Sequence, residues 1–242
     1  MSYQVTIGHL YPELLNLYSD KGNIAALKKR LEWRGIGVTV KEIPLEETID
    51  FSSLDLVLLG GGSDRELSLV CERLKEQKAA LWNYIESGGV LLALCGGFQM
   101  LGKQFVLHGT PAEGLGLFDF TTEHHTERLM GKVVLQSGLT EDPIVGFENH
   151  SGRTQLKELL PLGITTYGIG NNGKDKTEGF VYQNTIGSSL CGPLLPPNPQ
   201  LTDWLLNQSL QQKYGNDAPT LTPLDDSMEA DARNYIVQKY CK

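Results

Sequence analysis

Two short apolar runs, each closed by glycine, constrain this chain more than any other feature. LDLVLLGGG spans residues 54–62, and GVLLALC spans 89–95 with Gly96 and Gly97 directly behind it. Neither run alternates apolar with polar residues, so neither suits a strand with one wet face. Continuous runs of this length suit strands buried on both sides, as in a parallel sheet covered by helices.

The flanking pattern agrees. YQVTIGHL (3–10) and GVTVKEI (37–43) read as strands. Between them KGNIAALKKRLEWRG (21–35) reads as a helix, with Ile24, Leu27, Leu31 and Trp33 on its apolar side and Gly35 as its stop. Two more helical patterns, at 64–77 and 78–87, separate the two buried runs. Strands alternating with helices predict an α/β fold with a mostly parallel central sheet flanked by helices. From about residue 114 short strand-like runs (GLGLFDFTTE, LMGKVVLQS, DPIVGFENH, GITTYGIGN, GFVYQNT) are separated by Gly, Asn, Asp and Pro. The second half is therefore β-rich, with hairpins expected and some strands joining the main sheet. LTDWLLNQSLQQKYG (201–215) reads as a helix, with Pro197 and Pro199 before it and Gly215 after it. The organisation expected is one domain over 1–215, then an exposed linker at 216–224 and a C-terminal helix at 226–240.

Composition narrows the function. A chain of 242 residues can bury a full core without disulfides. Its formal charge of −8, with no basic run, argues against nucleic acid or an anionic membrane as a partner. No apolar run reaches membrane-span length, and MSYQVTIGHLYPE lacks the charged start and apolar core of a signal peptide. Cys71, Cys95, Cys191 and Cys241 are scattered, with no CxxC and no ligand spacing, which predicts a reducing cytoplasm and no structural metal.

LLALCGGFQMLG (91–102) places a thiol where a buried strand turns into a helix. That is the geometry of a nucleophile elbow. The turn lifts Cys95 out of the sheet, and the N-terminus of the next helix favours thiolate over thiol. The N–H of Gly96 follows the sulfur and can face a developing oxyanion. The bland alternative is a small core cysteine at a strand end. GGGSDRE (60–66) also follows a buried strand, so both glycine clusters belong at the carboxyl edge of the sheet, where α/β active sites form. Gly61 or a neighbour could give acyl transfer its second N–H donor. A phosphate-cradling loop is the rival reading, but neither G-x-x-x-x-G-K-[ST] nor G-x-G-x-x-G is present.

LLGGGSDRE, LLALCGGFQMLG, EGLGLFDFTTE, RLMGK, VGFENHSGRT, YGIGNNGKDKTEGFVY and GPLLPPNP, in this order, resemble the class I glutamine amidotransferases of the cobyric-acid-synthase type. Within them the resemblance is nearest to the glutaminase subunits of lipid II isoglutaminyl synthases, and it runs from residue 3 to about 210. It implies that Cys95 attacks the side-chain amide of glutamine, that Gly61 and Gly96 form the oxyanion hole, and that Arg128 and Gln99 line the substrate pocket. It implies an ATP-dependent, Mur-ligase-like synthetase subunit as partner. That partner would use the ammonia on the D-glutamate of the lipid II stem peptide, at the inner face of the membrane. It implies no ATP, metal or organic cofactor in this chain.

One position departs from the family pattern. The family carries a histidine as general base directly before G-P-[LI]-L, whereas this chain reads SSLCGPLL, with Cys191 there. A thiol with an ordinary pKa near 8.5 is a poor base and gains charge on losing its proton, so turnover should be impaired. Among the histidines, His150 lies in its own family motif with a pocket or structural role. His124 and His125 belong to a polar turn, and His9 and His108 have no evident partner. Two rivals stand beside the glutaminase reading: a site-degenerate binding subunit of the same synthetase, and an unrelated α/β cysteine hydrolase.

Overall fold

The computed structural model describes residues 3–18 and 20–241. Its elements in chain order are β1 (Gln4–Leu10), α1 (Lys21–Glu32), β2 (Gly37–Ile43), β3 (Leu56–Leu59), α2 (Asp64–Glu76), α3 (Lys78–Glu86), β4 (Val90–Leu94) and α4 (Gly96–Met100). There follow β5 (Gln104–Leu107), β6 (Thr110–Glu113), β7 (Thr121–Gln136), β8 (Ile144–Gln155), β9 (Gly163–Tyr167) and β10 (Thr177–Glu178). The chain continues with β11 (Phe180–Tyr182), β12 (Thr185–Ser188), α5 (Pro199–Tyr214) and α6 (Ser227–Tyr240).

The main sheet runs β11-β12-β4-β3-β1-β2, and every pairing but β11 with β12 is parallel. The two continuous apolar runs are β3 and β4, side by side at its centre. Their residues alternate between two cores. Leu56, Leu58 and Leu92 pack with Leu27 and Leu31 of α1 and Leu205 and Leu206 of α5. Val57, Leu59, Leu91 and Ala93 pack with Leu67, Val70 and Leu74 of α2 and Leu81 and Ile85 of α3. Each large aliphatic side chain removed from water in this way contributes about 1.5–3 kcal/mol. That burial on both faces is why the runs have no polar positions.

The second sheet runs β10-β9-β7-β5-β6, with β8 paired to β7. Two expectations change here. GLGLFDFTTE is not a strand until Thr121; Phe118 and Phe120 anchor a loop instead. Their rings join Phe98 of α4 and Phe180, with Phe98–Phe120 centroids 5.2 Å apart and Phe118–Phe180 4.7 Å apart. This cluster supports the elbow from below. Trp33, expected on the buried face of α1, is 62% exposed. It lies two positions past Leu31, roughly 200° around the helix. The buried place goes to Arg30, whose guanidinium pairs with Asp203 at 2.6 Å and Asp226 at 2.5 Å.

Residues 216–224 are largely exposed but tethered, Arg34 Nε donating to the Thr222 carbonyl at 2.7 Å. Helix α6 returns to the body of the protein. Arg233 pairs with Asp142 at 2.7 Å, and the Tyr240 and Tyr167 rings lie 4.9 Å apart. Among the described residues no helix is long and apolar enough to cross a membrane.

Candidate active site

Cys95 follows the last residue of β4 and caps α4, with φ +52° and ψ −121°. A non-glycine residue held there costs about 1–3 kcal/mol, and such strain persists only where the surroundings enforce it. The enforcement is visible. The Cys95 N–H donates to the Ser188 carbonyl at 2.8 Å, and its own carbonyl accepts from the Gln99 N–H at 3.2 Å. The glycines behind it are required by crowding. A Cβ on Gly97 would lie 2.5 Å from the Gly60 carbonyl oxygen, and one on Gly96 2.5 Å from the Leu67 side chain. The first amides of α4 have no acceptor within the helix.

The loop after β3 abuts the thiol. A Cβ on Gly61 would sit 3.2 Å from Cys95 Sγ and 3.6 Å from the Gly96 nitrogen. Ser63 then starts α2 with a capping box: Glu66 accepts from the Ser63 N–H at 2.7 Å, and the Ser63 hydroxyl faces the Glu66 N–H. The Gly61 N–H itself is directed to Asp20 Oδ2 at 3.2 Å. Asp20 is 2% exposed, and burial pushes its carboxyl up to about 6 despite that hydrogen bond. Gly61 thus stands against the nucleophile, but its amide is engaged.

Cys95 opens into a cavity of about 190 Å³ lined also by Tyr18, Gly96, Gln99, Arg128 and His150. Arg128 comes from β7 where its register with β8 shifts, between His124 and Leu129. Such an irregularity re-aims a side chain. Its Nε donates to Asn149 Oδ1 at 2.6 Å and its Nη2 to the Asn149 carbonyl at 3.0 Å. Among the described residues it forms no ion pair with a carboxylate. Gln99, one turn beyond Cys95, is buried, and its amide lies 3.1 Å from where a Cβ on Gly152 would be.

Cys191 follows β12 by three residues, and its N–H donates to the Phe147 carbonyl at 2.7 Å. Because β12 and β4 pair in parallel with Ser188 opposite Leu94, Cys191 and Cys95 emerge at the same edge. The Cys191 S–H donates to Cys95 Sγ at 3.0 Å. The two sulfurs touch, with no imidazole-sized gap between them. The hydrogen bond to Cys95, then burial, holds the Cys191 thiol well above the ordinary range, so it stays protonated.

His150 Nδ1 lies 2.9 Å from the Gly152 carbonyl, which makes Nδ1 the protonated nitrogen. Burial pushes the imidazole down to about 4, so it is neutral. At 4.0 Å from Glu148 it forms no ion pair in that state. Its Nε2 is buried without a partner among the described residues. Sequence reasoning missed Asp20, Tyr18 and Asn149. Asp20 and Tyr18 sit in the loop after β1, and nothing in NLYSDKGN marks them as facing a site 75 residues on. Among the described residues no cluster of three or more His, Cys, Asp or Glu could hold a metal.

The CobB/CobQ-like glutamine amidotransferase domain matches residues 6–199. The chain is 43% identical over 238 residues to the lipid II isoglutaminyl synthase (glutamine-hydrolyzing) subunit GatD of Staphylococcus aureus strain N315, covering 98% of this chain and 96% of that protein. It is 41% identical over 218 residues to the GatD subunit of Streptococcus pneumoniae, covering 89% and 84%. A cobyric acid synthase of Listeria innocua is 27% identical over 68% of this chain, but only 33% of that longer protein is matched. Among solved structures, PurLQS from Thermotoga maritima shares the fold with TM-score 0.58 at 15% identity, over 86% of this chain and 99% of that one. A glutamine amidotransferase from the same organism does so with TM-score 0.52 at 14% identity, over 97% of each. The strained cysteine elbow, the glycine loop against it and the length of these matches agree: the chain belongs to the CobB/CobQ-like glutamine amidotransferase domain family.

Proposed function

We propose that this chain is the glutamine-hydrolysing subunit of a lipid II isoglutaminyl synthase. It would supply ammonia to an ATP-dependent, Mur-ligase-like partner that amidates the D-glutamate carboxyl of the stem peptide. The observation that carries the reading is Cys95 held at φ +52° at the end of a central parallel strand, facing a small cavity with Arg128 on its wall. Full-length similarity to the two GatD subunits supports the choice of synthetase. The role places the protein in the cytoplasm, brought to the inner face of the membrane by its partner. Residues 1–215 form the amidotransferase domain, and the tethered segment with α6 is its C-terminal appendage.

The chemistry follows from the site. Glutamine enters with its α-carboxylate toward Arg128, whose planar fork suits a carboxylate. Gln99 lines the same pocket. The Cys95 sulfur attacks the side-chain carbonyl carbon, and the Gly96 N–H faces the oxygen on which charge develops. Gly61 keeps the opposite wall thin, and its N–H becomes a second donor when Asp20 releases it. Ammonia leaves with a proton, and water then frees glutamate from the thioester. The family's usual base is an imidazole, and here a protonated Cys191 thiol stands in its place. A positioned base contributes about 10²–10⁴ in rate, so this chain turns over slowly. That same observation favours a second reading, in which the subunit docks on its synthetase without hydrolysing glutamine.

Glutamate release from glutamine by the purified chain, alone and with its partner synthetase, separates the two. Slow release that Cys95→Ser abolishes supports the first reading. No release in either setting, with the complex intact, supports the second.

A further inference from the structure

Two thiols in contact at an open cavity have a chemistry of their own, apart from amide hydrolysis. We propose that Cys95 and Cys191 are a peroxide-responsive pair: a hydroperoxide oxidises Cys95, and Cys191 resolves it into a reversible intramolecular disulfide.

Geometry carries this. Both cysteines are free, with their sulfurs 3.0 Å apart. A disulfide needs about 2.05 Å, so closure asks for roughly one ångström of side-chain movement. The backbone on each side is fixed by the Cys95 N–H to Ser188 and Cys191 N–H to Phe147 hydrogen bonds. The pair therefore stays in register while the side chains move. The two sulfurs also differ in access. Cys95 is partly exposed at the cavity of about 190 Å³, which admits a molecule as small as hydrogen peroxide. Cys191 is only 7% exposed, and its sulfur otherwise meets the Ser189 and Asn149 carbonyls. Attack at Cys95 and resolution by Cys191 follow from that difference.

The other thiols are placed differently. Cys71 is buried beneath the Glu113 carbonyl at 3.7 Å, away from the cavity that Cys95 faces. Cys241 is exposed at the far end of α6, beside Thr166.

The steps balance. The Cys95 sulfur attacks the terminal oxygen of ROOH; the O–O bond breaks, and sulfenic acid and ROH form. The Cys191 sulfur then attacks the Cys95 sulfur. The S–S bond forms, the S–O bond breaks, and the hydroxyl leaves as water with the Cys191 proton. Two thiols are oxidised by two electrons, and one peroxide is reduced. A dithiol reverses the bond by exchange. While it stands, the nucleophile is masked, and Cys95 is shielded from further oxidation to the sulfinic acid.

The test uses the full chain. Reduced protein is exposed to hydrogen peroxide, its remaining thiols are alkylated, and peptides are mapped without reduction. The expected product is a crosslink between the Cys95 and Cys191 peptides, with the loss of two hydrogens, while Cys71 and Cys241 stay unpaired. Dithiothreitol should restore both thiols. In Cys191→Ser the same exposure should carry Cys95 to sulfinic acid, lowering its recovery by dithiothreitol roughly tenfold or more. Direct sulfinic acid formation at Cys95 in the parent, or recovery unchanged in Cys191→Ser, would overturn the proposal. The readout is covalent, so it stands or falls separately from glutamine hydrolysis. Masking of the amidotransferase activity rests on the function proposed above, and is read as activity lost with the crosslink and regained with dithiothreitol.

Discussion

Adding one methyl group at Gly61 should disable the nucleophile without unfolding the protein. The new Cβ would lie 2.9 Å from Cys95 Cβ and 3.2 Å from Cys95 Sγ, against ordinary contacts of 3.4–4 Å. Gly61 is not in the left-handed region, so alanine meets no backbone penalty there and the whole effect is the collision. Cys95 has little room to retreat, because its strand end is tied to Ser188 and the turn behind it is packed against the Gly60 and Leu59 carbonyls. Relief requires a shift of roughly half an ångström at the reacting sulfur. Misplacement by about 1 Å costs about 10² in rate, so Gly61→Ala should lower kcat for glutamine hydrolysis by about 10–100-fold. Overpacking of this kind costs about 1–3 kcal/mol of stability, which a domain of this size survives. The assay pairs glutamate release with the rate of Cys95 alkylation by iodoacetamide and with urea unfolding. Gly131→Ala is the control, since nothing lies within 4 Å of its added Cβ. Unchanged turnover and unchanged alkylation in a folded Gly61→Ala would refute the contact between the two loops.

Three further outcomes follow. Cys191→His should raise kcat by about 10²–10⁴, the worth of a positioned base, because it sets an imidazole against the Cys95 sulfur, whereas Cys191→Ala should change turnover little. Arg128→Lys should raise KM for glutamine more than it lowers kcat, because a single ammonium does not reproduce the bidentate fork; an unchanged KM would remove Arg128 from the substrate site. Burial pushes His9 and His150 down to about 4, so the unfolded chain binds more protons at these two groups and their contribution to stability grows as pH rises from about 4 to 6.5, while Asp20, pushed up to about 6, and Glu148 and Glu178, raised by burial, act in the opposite direction. Removing one imidazole isolates its share: the change in urea midpoint on going from pH 5 to pH 7 should be less favourable in His150→Gln than in the parent, and an equal or more favourable change would refute the buried neutral imidazole.

The parts of this molecule that were legible in the sequence are those where one interaction dominates. β3 and β4 were readable because burial on both faces removes every polar position from 56–59 and 90–94. The elbow was readable because only glycine fits behind Cys95. The β-rich second half was legible as a class but not in detail. β7 runs sixteen residues through the polar stretch Glu123–Arg128, where six successive positions are exposed and no apolar alternation remains. The β5–β6 hairpin was missed because Thr110–Glu113 buries almost nothing. Asp20 and Asn149 reach the site only through chain closure over long separations, which no local pattern records. The contact between Cys95 and Cys191 was foreseeable as proximity. Its closeness depends on the parallel register of β12 with β4, which the residues alone do not specify.

The central claim is that Cys95 is the nucleophile of a glutamine site. A glutamine-shaped electrophile, the diazoketone analogue of the side-chain amide, tests it most directly by intact mass and peptide mapping. The account predicts one adduct per chain, on Cys95, slowed by excess glutamine and absent in Cys95→Ser. An adduct on Cys191, or labelling of Cys95 that glutamine does not slow, would contradict it.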